Sequence, residues 1–185
     1  MIAERGRSLE DDYFRKKDRE LIEKLQKAAA AEQTRADLGR ATGLNDSALT
    51  QELLDLGFTP ETVSLVPLMP ILQMAWAEGG ITPAERDLIV RFARSRSIDA
   101  GSAADQQLTS WMANRPSEDV FVRAGRLIRA MLDSGGAAGL NPDDLVAYCE
   151  SIASASGGVF GIGRISAEER TLLSNIAAAL KGRTA

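Results

Sequence analysis

The chain has 185 residues, enough for one domain with a real core plus an extension, and its 44% apolar content with few aromatics favours packed helices over sheets. It carries a formal charge of −4, no histidine and a single cysteine, Cys149. These numbers remove histidine general bases, Ser-His and Cys-His nucleophile pairs, histidine or thiolate zinc sites, intrachain disulfides and the basic face of a nucleic-acid binder.

Residues from about Ser8 to Asp37 are densely charged, with Leu9, Tyr13, Phe14, Leu21, Ile22 and Leu25 recurring at near-helical spacing. Asp11 with Arg15, Glu20 with Lys24 and Glu23 with Lys27 are acid-before-base pairs one turn apart, each contributing about 0.2–0.5 kcal/mol. A long amphipathic helix follows from this pattern. It is either a solvated helix docking a narrow apolar stripe on the domain, or a coiled-coil or partner-binding arm through which a homodimer could form. The charge from Glu4 onward is unlike a signal peptide, which sets the expected location as cytoplasmic.

Gly39 to Asn45 reads as a break, with Asn45 or Asp46 capping a short helix that ends at Gly57. Thr59-Pro60-Glu61 has the grammar of a helix start and opens an apolar segment through Trp76, to be kinked or split by Pro67 and Pro70. That segment is too short and too interrupted to span a hydrocarbon core of roughly 30 Å. Glu78-Gly79-Gly80 ends it. Thr82-Pro83-Ala84-Glu85 then starts a helix that ends near Ser97, with threonine as cap, proline in the first turn and Glu85 reaching back.

Asp99 or Ser102 caps the next helix, which carries Leu108, Trp111 and Met112. Ser117-Glu118-Asp119 opens another with Phe121, Ala124, Leu127, Ile128 and Met131 inward, stopped by Gly135-Gly136. Asn141-Pro142-Asp143-Asp144 begins a helix running past Cys149 and Ile152 to a second glycine turn, and Ser166 caps the last. The expected fold is all-α, a bundle of about seven helices preceded by a long charged one, with a boundary near residue 57 and no strand.

Two stretches repeat each other. Ile81, Thr82, Glu85 and Arg86 match Ile165, Ser166, Glu169 and Arg170 at one constant offset, which predicts two related helix-turn-helix units. Glu78-Gly79-Gly80-Ile81 with Glu85 also resembles the back half of an EF-hand loop, but Met74 and Trp76 occupy places where acidic ligands would stand, and calcium needs six to eight oxygens. The capping box alone accounts for Glu85.

Three other features invite a chemical reading. Gly157-Gly-Val-Phe-Gly-Ile-Gly-Arg164 leaves a helix and lacks the Gly-Lys-Ser/Thr of a phosphate loop, so Val159, Phe160 and Ile162 are either a plug on the core or a partner-contacting apolar lip. Cys149, with no histidine to activate it, reads as a buried thiol. Glu20-x-x-Glu23 has the spacing of magnesium-dependent all-α nucleotide hydrolases, which makes such an enzyme the alternative function, although its charged surroundings suit a solvated face better.

Ala77-Glu78-Gly79-Gly80-Ile81 followed by Glu85 resembles the signature of the TerB-like family, named for tellurite resistance, and Ser154-Ala155-Ser156-Gly157 with Ile165 and Glu169 resembles a second copy. The resemblance covers roughly Pro60 to Gly182 and departs from the pattern at Ser156, which stands where the first copy has Glu78. It implies a helical bundle built from two hairpins and a non-enzymatic stress-response or adaptor module acting through other proteins. Because the family is associated with divalent cations held by acidic residues, it also implies a weak calcium or magnesium site at Glu78, Glu85 and Asp87, with Asp143 and Asp144 of the other unit as further candidates.

Overall fold

The computed structural model describes residues 2–135, 140–156 and 165–182. Among the described residues there are eight α-helices, one 3-10 helix and no strand, so the chain is all-α. In order these are α1 (Ile2–Thr42), α2 (Ser47–Asp55), the 3-10 helix (Val63–Leu68), α3 (Met69–Ala75), α4 (Pro83–Ser95), α5 (Ala103–Ala113), α6 (Glu118–Asp133), α7 (Pro142–Ser156) and α8 (Ala167–Lys181). None of the described helices is long and apolar enough to cross a membrane.

Helix α3 lies at the centre. Of its seven residues only Gln73 is not buried, and it packs against α4, α6, α7 and α8. The 3-10 helix before it supplies Leu65, Val66 and Leu68 to the same core. Proline explains why this segment is not one α-helix. Pro67 and Pro70 lack an N–H, and each ring would strike the carbonyl one turn back in α geometry, so the chain stays in the tighter helix through Leu68 and places Pro70 in the first turn of α3. The expected helix start at Thr59-Pro60-Glu61 is corrected accordingly. Thr59 N–H donates to the Thr62 hydroxyl at 2.8 Å, and Thr62 N–H donates to the Thr59 carbonyl at 3.0 Å, closing a turn instead.

The other starts follow their caps. Asp46 accepts from Ala48 N–H at 2.7 Å, Ser102 from Asp105 N–H at 3.1 Å and Asn141 from Asp143 N–H at 2.9 Å. Ser117 occupies the cap position of α6 but makes no side-chain bond there. Gly79, at φ 85°, takes the left-handed conformation that lets the chain leave α3 and turn into α4.

Helix α1 runs straight through the break expected at Gly39. A Cβ there would lie 2.8 Å from the Leu44 carbonyl oxygen, so glycine serves a close backbone approach where the chain folds back after α1. The last turns of α1 join the body through Leu38, fully buried, and Thr42. Leu44 and Leu53 of the following segment enter the same core as α3, α4 and α6 to α8, so this core extends across the division expected at residue 57. Helix α2 is also tied to α6, where Glu52 accepts from Arg123 Nε at 2.9 Å and from Arg126 Nη2 at 3.1 Å.

Candidate functional site

The acidic residues expected at the first turn fall into different environments. Glu85 is only 2% exposed; its Oε2 accepts from Thr82 N–H at 2.7 Å while its own N–H donates to the Thr82 hydroxyl at 3.3 Å. Glu169 is equally buried and repeats the arrangement with Ser166, at 2.7 and 3.1 Å. Burial pushes the Glu85 carboxyl above its ordinary range; the hydrogen bonds from Thr82 oppose that rise, and the charges of Glu169 and Glu78 add to it. Glu78 is exposed. So is Asp87, and residues two apart on a helix do not share a face, so Asp87 is not aimed where Glu85 is.

Asp143 and Asp144 do not join this group. They open α7, whereas Glu169 opens α8 after the chain has turned, and Asp143 pairs with Lys181 at the far end of α8 at 2.5 Å. Most of the length of α7, roughly 18–20 Å, separates them from the end of that helix. Among the described residues no group of three or more His, Cys, Asp or Glu is placed to hold a metal ion. The described carboxylate that sequence reasoning left out of the cation set is Glu169, and the match between the two stretches was the signal for it.

Cys149 is fully buried, and burial pushes its thiol up to about 12. Trp76 and Trp111 are half-buried and joined, since Trp76 Nε1 donates to the Trp111 carbonyl at 3.0 Å. Val159, Phe160 and Ile162 lie outside the described residues. Glu20 and Glu23 are both exposed on α1.

Among the described residues, two apolar surfaces are open. The first is on α1, where every residue from Tyr13 to Gln33 is exposed, about 30 Å of helix standing clear of the body. Tyr13, Phe14, Leu21, Ile22 and Leu25 on it are 52–61% exposed, so the docked-stripe expectation is corrected. Geometry explains the difference: at 3.6 residues per turn Phe14, Leu21 and Leu25 lie roughly 100–140° around the axis from Leu38, so the face that docks is not the face that carries the stripe.

The second surface is a groove of about 540 Å³ between α6, α8 and the edge of α3. Pro70, Phe121, Val122, Leu172 and Ile176 give it apolar walls, and Arg126 stands along it. Gly125 forms part of the wall on α6, and a Cβ there would meet no atom within 4 Å, so the groove is open partly because a mid-helix side chain is missing. Val122 is 55% exposed at its edge. Periodicity hid this site, since Val122 and Gly125 lie off the inward stripe of α6; the isolated Gly125 within a strong helix pattern was the available signal.

No family model, curated protein or solved structure matches this chain.

Proposed function

We propose that this chain is a TerB-like helical adaptor module that works through protein–protein contacts, and that its free α1 arm is a contact surface used between copies of the chain. One observation carries this reading: an exposed helix presenting five large apolar side chains to solvent. Most helical stability in proteins comes from tertiary packing, which residues 13–33 lack, and surface ion pairs add only about 0.2–0.5 kcal/mol each. Covering one Phe or Leu side chain stabilises by roughly 1.5–3 kcal/mol, so an arm with such a stripe has a strong drive to be covered.

Support for the TerB-like part of the reading comes from the two matched glutamates. Glu85 and Glu169 have the same burial and the same capping box, and they act on each other electrostatically. The hairpins that carry them, α3 with α4 and α7 with α8, pack together, as two related units folded into one body should. A stress-response role belongs to this reading by resemblance alone.

Light scattering of the full chain over a range of concentrations tests the contact. The expected result is a dimer that Leu21→Ser with Leu25→Ser converts to monomer without lowering the melting temperature of the body. A parent chain that is monomeric at every concentration contradicts the reading.

A further inference from the structure

The exposed stripe and the open groove belong to one molecule, and each has what the other lacks. Phe14 to Leu25 spans twelve residues of helix, a rise of about 16 Å, and the α6 wall of the groove from Glu118 to Arg129 spans the same. An amphipathic helix laid in a groove between helices is read through anchors at spacings of one and two turns, as Phe14, Leu21 and Leu25 are spaced. The arm cannot turn back into its own body, because α1 is one unbroken helix from Ile2 to Thr42.

A charge within the stripe decides which surface covers it. By helical position Asp18 stands among Phe14, Leu21, Ile22 and Leu25, so covering the stripe also covers its carboxylate. Two arms paired in parallel would bring Asp18 against Asp18; an antiparallel pair centred on the stripe would set it against leucine. Either arrangement desolvates that carboxylate, whose neighbouring cation on its own helix is Arg15, one turn before it. The groove supplies a further one. Arg126 lines it, its side chain is 66% exposed, and its bond to Glu52 uses one of the five N–H donors of a guanidinium.

Building on the proposed arm contact, we infer that the arm of a second copy lies in the α6–α8 groove, with Phe14, Leu21 and Leu25 against its apolar wall and Asp18 paired with Arg126. Each copy then gives one arm and receives one. Reciprocal exchange closes a two-fold dimer, whereas one-way insertion would run on into a filament.

The test is a dimer dissociation constant measured on full-length chains. Gly125→Leu fills the groove where no atom obstructs it, and it leaves monomers whose melting temperature is at least that of the parent. Asp18→Asn and Arg126→Gln each weaken the dimer about tenfold, and together they weaken it no more than either alone, because the same contact is lost. If Gly125→Leu dimerises as tightly as the parent, or if the two polar losses simply add, the groove assignment is overturned. Should Leu21→Ser with Leu25→Ser still dissociate the chain in that case, the arm contact stands and its receiving surface lies elsewhere. A monomeric parent removes both.

Discussion

Three residues show how burial and close approach set behaviour that residue type alone does not. Burial holds the folded-state pKa of Glu85 above its value in the unfolded chain, so the folded protein binds that proton more tightly. This contribution to stability is fully present below the unfolded value, about 4.3, and is lost as pH rises through the folded one. Glu85→Gln, which can still accept from Thr82 N–H, is expected to flatten that decline in urea melts taken across the window and to be no less stable than the parent at neutral pH. Glu85→Ala loses the cap and about 1 kcal/mol at all pH values. Gly39→Ala improves intrinsic helix propensity by about 1 kcal/mol. It nonetheless lowers stability by roughly 1–3 kcal/mol, since its methyl must displace the Leu44 backbone. Cys149 is expected to stay unlabelled by a thiol reagent at pH 8 while the chain is folded and to label fully in denaturant, because the thiolate is scarce and the sulfur enclosed.

At the scale of elements, what the sequence made readable was local chemistry. Thr82-Pro83-Ala84-Glu85 and Ser166-Ala167-Glu168-Glu169 announce two capping boxes within four residues each, and both form. Of the two candidates the sequence offered for each of the α2 and α5 caps, Asp46 and Ser102 act as the caps. What could not be read were the features set by distant chain. Gly39 looks like a helix breaker until the Leu44 carbonyl is seen against it, and Thr59-Pro60-Glu61 imitates a helix start that two later prolines prevent. The candidate surfaces divide in the same way: the stripe on α1 is periodic and therefore visible, whereas the groove depends on how α3, α6 and α8 meet around Gly125. The link between α2 and α6 is another tertiary feature, with half-buried Glu52 shared by half-buried Arg123 and exposed Arg126. Glu52→Ala is expected to cost about 1–2 kcal/mol in a denaturant melt, more than an exposed pair, because Arg123 is left partly desolvated.

The whole molecule is a well-packed body with a long helix standing out of it. Core residues from Leu38 to Leu180 form one cluster, while residues 13–33 contribute nothing to it. Such a division gives the arm low local stability when it is alone and makes it responsive to whatever covers it. The central claim, that this arm is a surface used between molecules, is tested most directly by amide hydrogen exchange of residues 13–33 as a function of protein concentration. The account predicts fast exchange in dilute solution and protection that rises with concentration, while amides of α3 and α7 stay protected throughout. Exchange in the arm that remains fast and unchanged at every concentration would contradict it.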